Sequence, residues 1–226
     1  MKKLVCLYIF CSILSSQDYS VRFDGVNDYL QFSEIDRIRT VFLIVNRRTG
    51  SNGFILGDET SHHFHGASTS IWSNTWTHPD VFNGLTQING NARDGLNSNY
   101  GYDAPTLISV RTAGPVEASN FSKDRSNHTY WSGDLAEMLI YNEPLPTSIM
   151  RKVEGYLAHK WGIQNSLSGA HPFRNSAPSR SQQTANVKIF NNDILMAIVG
   201  EFNKNLIQLE KLTKTKLYFR GNSITV

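Results

Sequence analysis

Cysteine is nearly absent. Of 226 residues only Cys6 and Cys11 are cysteines, and both fall within the first eleven positions. The body of such a chain has no disulfide framework, no cysteine nucleophile and no cysteine metal ligand. Charge of either sign is also low, at 18% of residues, and the net charge of +3 resides entirely in residues 186–226. That segment carries six Lys/Arg against three acidic residues. A neutral body argues against DNA binding. The phosphate-binding pattern G-x-x-x-x-G-K-[ST] occurs nowhere in the sequence, so no P-loop ATPase activity is expected of it. The nucleophile elbow G-x-S-x-G is missing too, because Gly66-Ala67-Ser68-Thr69-Ser70 lacks its second glycine. The apolar run Leu4 to Leu14 is too short to cross a bilayer comfortably, so no membrane span is expected in the mature chain.

That run, preceded by Lys2 and Lys3 and followed by Ser15, Ser16 and Gln17, has the layout of a secretory signal over residues 1–17. It predicts a secreted or periplasmic protein that loses both cysteines on cleavage. From residue 20 to 130, Gly, Asn, Ser and Thr abound and helix formers are sparse, as in an all-β body. Val21 to Phe32 alternates apolar residues on either side of an Asp/Gly/Asn turn and predicts a hairpin. Thr40 to Val45 is apolar on both faces, as a central strand should be. Short strands are predicted at Gly53 to Gly57, His63 to Gly66, Thr69 to Trp72 and Thr106 to Thr112. Asn83-Gly84 carries a two-residue hairpin signal. Leu135 to Tyr141 predicts a mostly buried strand. After two prolines a helix follows, with Ile149, Met150, Val153, Tyr156, Leu157 and Trp161 at helical spacing and Gly162 at its stop. Thr147 is the expected cap of that helix.

The strand and helix of Trp131 to Gly162 (WSGDLAEMLIYNEPLPTSIMRKVEGYLAHKWG), together with the FDG-NDYL string near the start, resemble bacterial laminin-G-like modules. The resemblance covers about residues 20–178. It implies a mainly β fold over residues 18–178: a two-sheet, concanavalin-A-like jelly-roll sandwich with one C-terminal helix at its edge. Residues 179–185 read as a polar linker. Residues 186–226, ending VGEFNKNLIQLEKLTKTKLYFRGNSITV, resemble the N-terminal, KH-like part of PhoH-type ATPases, which implies a small α+β tail. A helical run capped by Asp193 and interrupted at Gly200, then two strands around Arg220-Gly221-Asn222, is expected there. Joining a secreted sandwich to the front of a cytosolic ATPase points to a truncated or fused reading frame.

Catalysis is not expected. A β-glucan hydrolase of this fold type needs acidic residues alternating on one strand face, whereas Asp134 and Glu137 stand three apart and should face opposite ways. Glu137 reads as a structural carboxylate. His62, His63 and His65 read as a polar strand end. The Asp24, Asn27 and Asp28 cluster has the hard oxygen donors that calcium prefers, although Asp and Asn also favour turns for conformational reasons. No other cofactor is expected. Sugar recognition calls for a flat aromatic to stack on the pyranose and planar amides or carboxylates to bond hydroxyls. The segment from Trp72 to Asp103 supplies Trp76, Tyr100 and Tyr102 with Asn97, Asn99 and Asp103. A glycan or a cell-surface protein is therefore the expected partner; the alternatives are a scaffold without a sugar site or, as the resemblance of the tail implies, a truncated PhoH-family nucleotide- or RNA-associated protein without its ATPase domain. RNA binding by the tail is disfavoured, since only Gly200 of a Gly-x-x-Gly loop is present.

At about forty residues the tail is near the size below which domains rarely stand alone. Deleting residues 186–226 is expected to leave the melting temperature of the remaining chain nearly unchanged. Collapse of the body in a thermal melt of the truncated protein would contradict this.

Overall fold

The computed structural model describes residues 20–48, 53–67, 69–126, 129–179, 186–188, 204–213, 218–220 and 223–225. The expected signal segment and the part of the Asp193-capped run up to Gly200 lie outside the described residues, whereas Leu206, Ile207 and Leu209 of that run fall in a described helix. The chain divides into two compact units, Met1–Pro178 and Ser179–Val226.

The first unit is mainly β, built from strands β1 (Val21–Asp24), β2 (Leu30–Arg47), β3 (Gly53–Gly57), β4 (Phe64–Gly66), β5 (Leu85–Ile88), β6 (Asn91–Arg93), β7 (Thr106–Phe121) and β8 (Ser132–Tyr141). Two helices join them, the short α1 (Pro79–Phe82) and the longer α2 (Thr147–Lys160). The strands form one antiparallel sheet in the order β1-β8-β2-β7-β3-β4. Its curl arises because β7 uses its two halves differently. Leu56 and Gly57 pair with its end at Phe121 and Asn120, while β5 pairs with its beginning at Ile108 to Arg111. β2 bends with it. Its register on β7 shifts three times between Gln31 and Thr40, and Arg37 within that stretch has φ 58°. Pro115 is tolerated inside β7 because it falls where the ladder jumps from Arg111 to Val116.

Alternation along β2 explains why Thr40 to Val45 is apolar on both faces. Val41, Leu43 and Val45 enter the main core inside the curl, with Ile55, Phe64, Ile108, Val110 and Trp131. Phe42 and Ile44 point the other way, into a second cluster with Leu107, Leu139, Met150, Leu157 and Ala158. That second cluster is the seat of α2. Phe23, Phe121 and Trp131 pack together with ring centroids 5.1 to 6.0 Å apart and tie β1 to the β7–β8 end of the core.

The structure departs from the sequence expectations at several turns. Val21 to Phe32 is not a hairpin, because β1 pairs with β8 (Val21 opposite Leu135) and β8 separates it from β2. Thr69 to Trp72 is a turn whose Ile71 and Trp72 amides bond the Ser98 and Gly95 carbonyls. Asn83-Gly84 is not a hairpin turn: Asn83 caps α1, and Gly84 lies so close to the Arg111 carbonyl that a Cβ would collide with it. The hairpin turn is Asn89-Gly90 between β5 and β6, with φ of 51° and 74°, the conformation of a type I′ turn. Thr147 does not cap α2. The helix begins at Thr147 with Pro146 in the cap position and no side-chain bond, while the Ile149 and Met150 amides bond the Pro146 carbonyl. At the other end Gly162 has φ 68°, and the Gly162 and Ile163 amides return to the His159 and Ala158 carbonyls in a Schellman turn.

Residues after α2 fold back on it through a buried polar chain. His171 Nε2 donates to Glu154 at 3.1 Å, its Nδ1 accepts from the Phe173 amide, and Arg151 lies 3.6 Å from the same carboxylate. Arg151 also bonds the Gly90 carbonyl, so α2, the β5–β6 turn and the 171–173 segment meet at one carboxylate.

In the second unit β9 (Asn186–Lys188), α3 (Lys204–Thr213), β10 (Tyr218–Arg220) and β11 (Ser223–Thr225) are described. The strands form an antiparallel sheet in the order β10-β11-β9.

Gly84 tests the close approach of the α1–β5 turn to β7. Gly84→Ala is expected to cost about 2 kcal/mol or more, whereas Gly101→Ala, with open space at its Cβ, should stay within about 0.5 kcal/mol of wild type. Urea denaturation of the two variants measures the difference.

Candidate functional site

The loops at one end of the curled sheet are organised by Arg47, the last residue of β2. Its guanidinium is buried and lies between two tyrosine rings, 4.0 Å from the centroids of both Tyr100 and Tyr102. Nη2 donates to Asn99 Oδ1 at 2.6 Å and to the Tyr100 carbonyl at 2.7 Å, and Nη1 reaches the Ala67 carbonyl. The Arg47 carbonyl accepts from the Asp103 amide at 2.7 Å, and Asp103 sits at φ 56°. One side chain thus shapes residues 99–103 from below. Burial pushes the Tyr100 hydroxyl up to about 12.

Trp76 stands on a separately fixed turn. Ser73 Oγ accepts the Thr75 and Trp76 amides, and Thr77 Oγ1 donates to the His65 carbonyl, which also receives the Ser73 amide. With its main chain so held, the indole remains 57% exposed. His65 is two residues from Ala67, which bonds Arg47, so the Trp76 turn and the Arg47 loop share the end of β4 as a common seam.

Of the residues expected to contact a ligand, Asn99, Tyr102 and Asp103 are therefore brought together around Arg47, with Trp76 joined to them through β4. Tyr100 is different: it is buried, with Arg47 on its ring, and supports the loop from inside. Asn97 closes its own turn by donating to Asp94 at 2.7 Å. That bond, with the Leu96 amide, holds the Asp94 carboxyl below its ordinary range. Arg47 itself was not anticipated, since an arginine at a strand end carries no signal until the loops fold over it.

The Asp24, Asn27 and Asp28 turn is likewise internally bonded. Asp24 Oδ1 accepts the Val26 and Asn27 amides, and Asp28 Oδ2 accepts the Asp24 amide. The Val26 bond leads the causes that hold the Asp24 carboxyl low. Both carboxylates face the turn's own backbone, which explains these residues as turn formers, and no ion is assigned to them. Elsewhere, Glu34, Asp58 and Glu117 bring one oxygen each within 4.8 Å of one another, a grouping with no counterpart in sequence spacing. Asp58 already accepts the Thr60 and His62 amides and the Thr60 hydroxyl. We read the three as a patch of negative potential at the base of the β3–β4 connection.

Asp134 and Glu137 do not face opposite ways. Ile44 pairs with Glu137 but Val45 with Leu135, so a bulge at Ala136 returns Asp134, opposite Asn46, to the face that Glu137 shares with Ile44. Both are ion-paired. Asp134 binds Arg22 and Arg48 at 2.7 and 2.9 Å, and these bonds outweigh burial to keep its carboxyl low. Glu137 binds Lys160 at 2.8 Å and the Trp161 indole N–H at 2.6 Å, fastening the end of α2 to the sheet. His63, expected at a polar strand end, is buried, and burial depresses it to about 4.

No family model matches the chain, and neither a curated protein nor a solved structure matches it.

Arg47→Leu is expected to lower stability by about 2–4 kcal/mol, because it strips donors from the Asn99, Tyr100 and Ala67 oxygens together with both ring contacts. Amide exchange in residues 94–103 should accelerate more than exchange in β2. His63 sets a pH dependence. Folding depresses it from the ordinary imidazole value of 6.5 to about 4, so its contribution is complete above 6.5 and is lost as pH falls toward 4. A series of thermal melts across that window should show a shallower decline for His63→Leu than for wild type.

Proposed function

We propose that the first unit is a secreted, non-catalytic binding module for a carbohydrate or a glycosylated cell-surface partner. The observation that carries this reading is Trp76: a large aromatic face, more than half exposed, on a turn whose backbone is already fixed by hydrogen bonds. An exposed indole costs solvation, and a fixed one offers a platform on which a sugar ring stacks with little loss of freedom. Tyr102, Asn99 and Asp103, gathered over Arg47 on a second loop, supply the aromatic and polar edges that hydroxyl groups require. The concanavalin-A-like resemblance and the expected signal segment support the same reading.

The ion-paired state of Asp134 and Glu137 supports a binding role over hydrolysis. A protein-interaction scaffold is the second reading. It draws on Ile149 and Tyr156, seven residues apart on the outer face of α2 and both exposed.

A glycan array probed with the full chain tests the proposal. Trp76→Ala should weaken any hit by about tenfold or more, and Tyr102→Ala by a smaller factor, with circular dichroism unchanged. Absence of glycan binding by the folded protein, with a protein partner lost on Tyr156→Ala, would replace this reading with the scaffold.

A further inference from the structure

His62 and His78 lie face to face, with ring centroids 4.4 Å apart and planes 16° from parallel. They belong to different segments: His62 to the β3–β4 connection and His78 to the position that caps α1. Each ring is also used as an acceptor. Nδ1 of His62 accepts the Glu117 amide, and Nδ1 of His78 accepts the Asp80 amide, both at 3.2 Å. An imidazole nitrogen that accepts an N–H carries no proton, so both rings are neutral in this arrangement. The stack joins three hydrogen bonds in tying residues 73–78 to residues 61–66. These are the His78 amide to the His63 carbonyl and the Ser73 amide and Thr77 hydroxyl to the His65 carbonyl. Trp76 lies within the first of these segments.

We propose that the His62–His78 stack is an acid-sensitive latch on the turn that carries Trp76. Proton uptake at His78 Nδ1 removes the acceptor of the Asp80 amide and sets a cation against the His62 ring 4.4 Å away, which itself holds the Glu117 amide. Carboxylates lie close to the pair. Asp58 is bonded to the His62 amide, Glu117 adjoins the His62 ring, Glu34 completes the carboxylate patch, and Asp80 lies 3.9 Å from His78. Arg125, which donates to the Thr60 carbonyl, and the Glu59–Lys123 pair are the other charges on that connection; burial depresses the adjoining His63 to about 4 and lowers His65. Burial and then the neighbouring His62 hold His78 below its ordinary value, against the pull of Asp80 and Asp58. With the folded value depressed, the latch is fully engaged above the ordinary imidazole value and weakens as pH falls below it. Its bearing on function rests on Trp76 being the ligand platform: a secreted module so built would hold its ligand at neutral pH and release it on acidification.

Hydrogen–deuterium exchange of the full chain at about pH 7.5 and about pH 5, corrected for intrinsic rates, is the test. Protection of residues 73–82 relative to β2 should fall about tenfold in wild type. It should fall less than about twofold in His78→Asn, which keeps a capping oxygen but cannot titrate, and in His62→Phe, which keeps a stacked ring. An equal fall in both variants, or no fall in wild type, overturns the latch. NMR titration of wild type alone is a second, independent measurement, in which His78 should take up its proton below the ordinary imidazole value. Titration of His78 at or above that value overturns the proposal. No glycan enters either readout, so a failed latch leaves the Trp76 platform standing, and a Trp76→Ala variant with undiminished binding sinks the platform but not the latch.

Discussion

Burial of the second half of β2, from Ile38 to Arg47, on both faces is the constraint on which the rest of the first unit depends. A strand with one wet face could have alternated polar and apolar residues. This one cannot, because Val41, Leu43 and Val45 fill the curl while Phe42 and Ile44 need cover on the outside. That outer cover is α2, and its attachment is over-determined. Met150 and Leu157 pack on the sheet, Glu137 holds Lys160 and Trp161, and Glu154 holds His171 from the segment that follows. The buried carboxylate of Glu154 would be costly alone. It is tolerable because a neutral imidazole donates to it and Arg151 stands nearby, the arrangement that buried charge requires.

The curl also builds the candidate binding face. Because β7 passes from one neighbour to another along its length, β3–β4 and β5–β6 splay apart, and the intervening segments must cross between them. The crossing from β4 to β5 carries Trp76 and His78, while His62 lies in the β3–β4 connection and the loop over Arg47 joins β6 to β7. Their polar backbone is not left to water: Ser73, Thr77, Asn99 and Asp58 bond main-chain groups directly. Rigidity of the loops and exposure of one indole therefore have a common origin in side chains that substitute for a ladder.

Much of the framework was legible along the chain. The double-faced apolar pattern at Thr40 to Val45, the apolar strand at Leu135 to Tyr141, the helical spacing after Pro146 and the stop at Gly162 are local signals, and local signals survive folding. The places where expectation and structure part share a cause. Asn83-Gly84 and Asn89-Gly90 are the same dipeptide, but only the second finds flanking strands that pair, while the first is taken up by α1 and by the proximity of β7. Val21 to Phe32 has hairpin chemistry, yet the partner of β1 comes from more than a hundred residues away. Thr147 can cap in principle, but the proline geometry at Pro146 starts the helix first.

By itself the sequence determined the β character of residues 20–130, the location of α2, the two-sided burial of the second half of β2 and the set of aromatic and amide residues from which a contact face is made. These follow from the period of a pleat or a helix and from turn chemistry, which act over a few residues. Only the tertiary structure decided which of those residues are exposed. It turned Tyr100 inward beneath Arg47 and left Trp76 outside, and it set His62 against His78. A bulge at Ala136 swung Asp134 onto the face of Glu137. The physical reason is that register, bulges and loop crossings depend on pairings between distant segments. A shift of one residue in such a pairing reverses the face of every side chain beyond it.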